Sequence, residues 1–432
     1  MFAVRHRARP RSGDHVSERL TIPTEYVDWR TKGLWWPGEP VTLDEFAARK
    51  DHLFTGPFTW PLMVLRASAL DRNIAALADF TRDHRLLFAP HGKTAMSPVL
   101  TQRQLDAGAW GITAATANQV LDFHRFGVRR ILLANELLDP KVLRWAAAEL
   151  DTDPDFEFLF YVDSPEGVAV ASEAVAPHGT MREGARPLRV LIERGVPGGR
   201  TGCRTREDVL AVAREVASAQ GLETAGVAGY EGPLGDADGV RGFLDDLLGD
   251  AAALAGEHGP TRPVLSVGGS AWFDLVAEAL GGREDVLPIL RSGAYVAHDD
   301  GLYQRTTPYN RLPEGPESLS GALELWAQVT SVPEEGLAIV GMGRREANHD
   351  QGFPIPRVLR RTDGTVVPAE GVEVFDLNDH HAYLRIPDGL RVRPGDLFSF
   401  GISHPCTAFD RWQVIPVIDD DDRVVDATAT YF

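Results

Sequence analysis

The sequence predicts an α/β fold, a (β/α)8 TIM-type barrel followed by a C-terminal antiparallel β-domain. Three observations carry this expectation. Eight short apolar runs are spaced along residues 85–295, each of the length and continuity of a parallel strand buried on both faces. Amphipathic segments with helical periodicity separate them. From about Leu323 the pattern changes to short alternating strands broken by Pro, Gly and Asp.

The eight runs are RLLFAP (85–90), WGITAA (110–115), RILLAN (130–135), EFLFYVD (157–163), LRVLIE (188–193), TAGVAGY (224–230), PVLSVGG (263–269) and VLPILRSGAY (286–295). Between them, SPVLTQRQLDAG, ANQVLDFHRFG, DPKVLRWAAAEL and TREDVLAVAREVASAQG place apolar residues near i, i+3, i+4 and end on polar or Gly stops. Eight βα units in roughly 220 residues suit a closed barrel better than an open doubly wound sheet. A helix over 69–84 precedes the first barrel strand. The stretch 306–320, TTPYNRLPEGPESLS, is expected to be a linker, and DDDD at 419–422 a solvated hairpin turn. The organisation is thus an N-terminal extension (1–60) that packs on the β-domain or a partner subunit, a barrel (61–305) and a β-domain (306–432).

Composition narrows the ligands. A net charge of −18, from 44 basic against 62 acidic residues, opposes binding to nucleic acid and to anionic membrane. No stretch approaches the roughly 18 consecutive apolar residues of a membrane span. A small molecule is the expected partner. Two cysteines, Cys203 and Cys406, are too few for a disulfide framework and fit a reducing cytoplasm. The Arg-rich start, MFAVRHRARPRSG, lacks an apolar h-region and a small-residue cleavage site, does not read as a secretory signal, and is expected to be a disordered leader or an over-extended start site.

In such a barrel the chemistry gathers at the C-terminal ends of the strands, and a phosphate site is commonly built after the seventh and eighth. Lys93 follows the first strand, one of only four lysines among 44 basic residues. An amine can lose its proton and attack a carbonyl, which a guanidinium cannot, so Lys93 is a candidate nucleophile, with an ordinary surface charge as the alternative. The seventh strand ends in Gly268, Gly269 and Ser270 before a helix, a backbone able to approach an anion. After the eighth strand, Gly293 and the Ala294 backbone can complete that cup. Tyr295 is there either a hydroxyl donor or a half-buried aromatic. Arg200 lies in the loop after the fifth strand and Tyr230 at the end of the sixth. A lysine, an arginine, a tyrosine and a phosphate cup at one mouth suit pyridoxal 5′-phosphate. In the β-domain, SHPCTAFD sets His404 and Cys406 two residues apart. In extended chain they share a face, and imidazole with thiolate suits Zn2+ while leaving positions for water or substrate. The alternative is a loop histidine beside a buried cysteine.

PHGKTAMSP, DAGAWGITAAT, ILLANELLD, GYEGP and HPCTAFDRWQVIPVID, in this order, resemble the D-serine dehydratase/D-threonine aldolase family of pyridoxal-phosphate enzymes, relatives of alanine racemase. The resemblance spans about residues 60–430. It implies a barrel with a β-domain, a Schiff base on Lys93, and a homodimer whose sites are completed across the interface. It further implies Arg200 at the cofactor's phenolic oxygen, Tyr230 at its pyridine nitrogen and the glycines with Ser270 at its phosphate. His404 and Cys406 become the metal pair, with His381 of DHHAYL nearby. Many members read RPHxKTHK, whereas Ala89, Ala95 and Met96 stand here in place of the arginine, second histidine and second lysine, a form that looks like the bacterial amino-acid deaminase branch. H-x-C with zinc resembles the dehydratase branch, and H-x-D with Mn2+ or another divalent ion the aldolase branch. The expected activity is dehydration of a D-β-hydroxy amino acid, D-serine giving pyruvate and ammonia. The alternatives are aldolase-type cleavage to glycine and an aldehyde, or a non-catalytic cofactor-binding protein.

Overall fold

The computed structural model describes residues 19–179, 185–256 and 259–432, so the Arg-rich start lies outside the described residues. All eight expected barrel strands form, as Leu87–Phe88, Ile112–Ala114, Arg130–Glu136, Glu157–Val162, Leu188–Arg194, Leu222–Gly229, Val264–Ser266 and Leu287–Leu290. They pair in parallel in chain order, and the eighth returns to the first. The first two strands are too short to form a ladder with each other. The closure there is made by Trp110 N–H to the Phe88 carbonyl (2.7 Å), Thr113 N–H to the Pro90 carbonyl (2.9 Å) and the Thr113 hydroxyl to the Ala89 carbonyl (2.6 Å).

Strand alternation divides the apolar residues into two cores. Ala89, Leu132, Leu159, Tyr161, Leu191, Val264 and Ile289 fill the barrel interior. On the fourth strand the intervening Phe158 and Phe160 point outward, stacked at 5.7 Å between ring centroids, into the layer beneath the helices. Several helices start where short polar side chains satisfy their free N–H groups. Ser97 accepts from Leu100 N–H ahead of Pro98–Asp106, and Thr205 forms a capping box with Asp208 ahead of Arg206–Ser218.

The second unit is an antiparallel sheet organised on the twelve-residue strand Leu323–Glu334, which pairs with Leu397–Gly401 and Leu337–Val340. It also takes in Leu62–Arg66, a strand the sequence pattern leaves with the barrel, which pairs with Leu323–Glu334 and with Val414–Ile418. Two segments before and after the barrel thus belong to one sheet. Residues of the extension, Val27, Leu34, Trp36, Phe46 and Leu53, pack with Leu62, Trp326, Ile418 and Val424 in a common apolar cluster. The expected linker is in fact packed, with Tyr309 buried and its hydroxyl on the Ala76 carbonyl. The acidic turn at 419–422 is not merely solvated. Arg66 binds the Asp419 carbonyl and the Asp422 carboxylate, and Ser68 binds Asp420. Among the described residues no helix is long and apolar enough to cross a membrane.

Candidate active site

A cavity of about 360 Å3 opens at the C-terminal ends of the barrel strands. Lys93, Arg200, Tyr230, Gly268, Gly269, Ser270, Gly293 and Cys406, far apart in sequence, all line it. Lys93 sits in a single helical turn, Gly92–Thr94. Its ammonium is pushed below the usual lysine range by burial of the amine, opposed by Cys406 and reinforced by Arg200 and Arg291. The residues that depart from the family pattern are structural here. Ala89 belongs to the barrel interior, while Ala95 and Met96 are buried beneath the turn, where the Met96 carbonyl accepts from Tyr431 N–H.

Tyr295 departs from the expectation. Its hydroxyl accepts from Gln104 Nε2 (2.8 Å) and its ring packs 5.4 Å from that of Phe88, so it is spent in the core and does not line the cavity. The glycine loop differs in a second way. The Gly268 and Gly269 N–H groups donate to the Glu231 carboxylate, at 3.1 and 2.6 Å, and Glu231 is wholly buried. The left-handed φ of Gly268 (+108°) is what turns these amides toward it. Ser292 donates to the Gly269 carbonyl from the other side (2.6 Å). The amide positions left for an anion are therefore those of Ser270, Gly293 and Ala294. Gly293 stands against His91, where a Cβ would meet the His91 carbonyl oxygen at 2.7 Å.

Among the cavity residues that escaped the sequence reading are Arg291, His91, Tyr161, Glu193 and Tyr303. Arg291, inside the RSGAY run, donates Nη1 to Ser266 Oγ and Nη2 to the Gly229 carbonyl, while its buried Nε has no partner. His91 also carries a buried, unpartnered Nδ1, and burial together with Lys93, Arg291 and Arg200 holds its imidazole well below the usual range. Both signals were present in sequence as polar residues at strand ends. Arg200 lies over the Tyr230 ring at 5.4 Å.

The β-domain closes the cavity through the turn Pro405–Thr407, with Cys406 Sγ 3.3 Å from Thr94 Oγ1. His404 contacts the Cys406 side chain, and its Nδ1 lies 2.5 Å from Asp350 Oδ2. The hydrogen bond to Cys406, with Asp350 behind it, raises the imidazole to about 9. Asp350 is itself held by Thr407 Oγ1 (2.7 Å) and Asn348 Nδ2 (3.2 Å). Among the described residues no cluster of three His, Cys, Asp or Glu side chains suits a metal, so a bound ion would draw on the His404–Cys406 pair and on non-protein ligands. His381 is not part of this arrangement. It is exposed outside the cavity, and it is the neighbouring His380 that bonds Glu346.

The donor set fits pyridoxal 5′-phosphate. Three cations and the unpartnered donors of His91 and Arg291 face one cavity of ligand size, with a glycine-lined corner open for an anion. It also fits a divalent ion, because a carboxylate on the far nitrogen of a histidine beside a thiol is the usual support of a ligating imidazole.

The fold and cavity define the class, a (β/α)8 barrel with an antiparallel β-domain of the alanine racemase type. The alanine racemase of Clostridium difficile 630 superposes with a TM-score of 0.60 at 12% identity, over 87% of this chain and 99% of the other. A D-threonine aldolase from Filomicrobium marinum superposes with 0.73 at 22% identity, over 87% and 95%. Within that class, residues 322–418 match the family model of a putative serine dehydratase domain. The 3-hydroxy-D-aspartate aldolase of Paracoccus denitrificans is 26% identical over 348 residues, 78% of this chain and 84% of the other. The D-threo-3-hydroxyaspartate dehydratase of Delftia sp. strain HT23 is 29% identical over 345 residues, 76% and 84%. The resemblance to the D-serine dehydratase/D-threonine aldolase family is borne out.

Proposed function

We propose that this chain is a lyase of D-β-hydroxy amino acids that uses pyridoxal 5′-phosphate and a divalent metal ion, and that it acts by dehydration, converting D-serine to pyruvate and ammonia. The observation that carries this reading is that an amine of lowered basicity and the Cys406 thiol face the same cavity, from opposite domains, through the Thr94–Cys406 contact, with the His404 imidazole against the thiol just outside the cavity lining. A D-amino acid substrate has an acidic carboxylate suited to the cationic wall and a β-hydroxyl suited to a Lewis acid.

When bound, the cofactor supplies an aldehyde for the substrate amine and a ring that withdraws electrons from Cα. Lys93 would hold it, with Ser270, Gly293 and Ala294 around the phosphate; Gly268 and Gly269 shape that corner through Glu231. Arg200 is assigned to the phenolic oxygen and Tyr230 to the ring nitrogen, with Arg291 Nε a further donor toward the ring. Lys93 Nζ, whose ammonium form burial disfavours, removes the proton from Cα. His404 and Cys406 would hold a divalent ion, Zn2+ or another such as Mn2+, which would supply a Lewis acid for the β-hydroxyl, and Asp350 fixes the imidazole. A metal ion bound there would displace the proton that Cys406 and Asp350 favour on His404. The cysteine at position 406 matches the H-x-C form that resembles the dehydratase branch, which favours dehydration over cleavage.

Retro-aldol cleavage to glycine and an aldehyde is the second reading, favoured by the aldolases among the relatives. Product identification after incubation with D-serine and D-threonine separates them. Pyruvate and ammonia from D-serine support dehydration, and glycine with acetaldehyde from D-threonine, without ammonia, overturns it. The proposed assembly is a homodimer, checked by sedimentation. A reducing cytoplasm suits the two unpaired cysteines.

A further inference from the structure

The mouth of the barrel is divided by charge. The cations Lys93, Arg200 and Arg291 occupy one side of the cavity. On the other, the inward rows of the third, fourth and fifth strands end in acids. Leu132 and Ala134 lead to Glu136, Leu159 and Tyr161 to Asp163, and Leu191 to Glu193. Glu136 stands opposite Tyr161 in the strand register. The Glu136 and Glu193 carboxyls lie within hydrogen-bonding reach of each other, and neither has an ion-pair partner among the described residues.

Each has an oxygen sealed from solvent with no donor, Glu136 Oε1 and Glu193 Oε2, and the Tyr161 hydroxyl is likewise buried and unpartnered. Glu193 is 3% exposed and Tyr161 is 2% exposed. Two ionised carboxylates in mutual contact, without a cation, repel; one proton held between them removes the repulsion and supplies the missing donor. The pair also straddles a wall. Glu193 faces the main cavity, whereas Glu136 faces a second cavity of about 160 Å3 lined by Leu138, Asp163, Ser164 and Glu166; Tyr161 borders both.

We propose that Glu136 and Glu193 share one proton and relay it between the main cavity and the side cavity, giving the site a route of proton exchange with solvent that does not use the cavity mouth. The proton sits at a carboxyl oxygen of either residue, and the transfer interchanges acid and carboxylate without net change. The groups facing the pair are Tyr161 and Asp163 from the fourth strand, Glu166 from the helix after it, and Arg291 across the barrel. Burial, the bond to Glu193 and the charges of Glu193 and Asp163 raise Glu136 to about 8, so Glu136 keeps its proton through neutral pH and loses it above that.

The relay's catalytic role rests on the lyase reading, whereas the shared proton does not, and the test separates them. Infrared difference spectroscopy of the full chain against pH should detect the carbonyl band of a protonated carboxylic acid near neutral pH. The band should fade as pH rises through about 8 and be missing near neutral pH in Glu136→Gln and Glu193→Gln. In cofactor-loaded protein, Glu136→Gln should lower kcat on the order of 100-fold, leave KM nearly unchanged, and be rescued by added imidazole, to which the wild type is indifferent. A purely structural role would not respond to buffer. Absence of the band in wild type overturns the shared proton, and a kcat loss that imidazole does not restore overturns the relay. Where the glutamine variant does not fold, Glu136→Asp and the wild-type band provide the same decision. A band without turnover of any D-β-hydroxy amino acid refutes the lyase reading and leaves the shared proton standing.

Discussion

The Thr94 hydroxyl lies 3.3 Å from the Cys406 thiol, across 312 residues of chain and across the boundary between barrel and β-sheet. This contact sets the amine of Lys93 and the thiol of Cys406 on one cavity, with His404 against the thiol. It is reinforced beneath by Ser97 and Thr428, whose hydroxyls are 2.5 Å apart, and by Tyr431 N–H on the Met96 carbonyl (2.9 Å). Chemistry drawn from both domains is therefore held at a distance fixed by buried hydrogen bonds.

Borohydride reduction of cofactor-loaded protein, followed by peptide mapping, should leave a pyridoxyl label on Lys93. Lys93→Ala should carry no label and lose activity by about 1,000-fold or more. A label on another residue, or on the variant, would remove Lys93 from its assigned role.

Chelation should abolish turnover and Zn2+ restore it. Asp350→Asn keeps the side chain's shape but weakens the acceptor that orients His404, so zinc affinity measured by competition with a chromophoric chelator should fall about 10- to 100-fold. Affinity equal to wild type would show that Asp350 plays no part in holding the imidazole.

Glu231 binds two backbone N–H groups of the glycine corner. Glu231→Ala leaves both buried and unpaired, a cost of about 2 kcal/mol, read as a lower urea midpoint. The same variant should release pyridoxal 5′-phosphate more readily, because the Gly268–Ser270 loop loses its anchor. Unchanged stability and retention would reduce Glu231 to a bystander.

Stability should depend on pH through Glu136. Its folded-state value is raised to about 8 from an ordinary 4.5, so folding requires the proton, and its contribution is lost as pH rises between those values. Glu136→Gln removes that dependence. Thermal unfolding of variant and wild type should diverge in the variant's favour as pH increases to about 8 and run parallel above it.

Much of this was legible in sequence for local reasons. The continuous apolar runs can only be strands buried on both faces, and their spacing leaves room for one helix each. Lys93, Gly268 and Gly293 could be found because strand ends in a barrel converge, and Cys406 from its two-residue spacing to His404. What misled was partner choice. Tyr295 sits where a donor to phosphate would be expected, yet Gln104, 191 residues away, takes its hydroxyl. Glu231 was visible in GYEGP, but nothing local says that its carboxylate reaches the amides of Gly268 and Gly269. His381 and His380 alternate on the chain, and only His380 finds a carboxylate.

Periodicity and turn chemistry determined the two-part architecture, because alternation and helical spacing are properties of neighbouring residues. Tertiary structure alone decided which sheet receives Leu62–Arg66, where Tyr295 spends its hydroxyl, and that Glu136 meets Glu193 without a cation between them. These depend on hydrogen-bond competition and desolvation among groups brought together by the closed barrel, and neither quantity exists until the chain has folded.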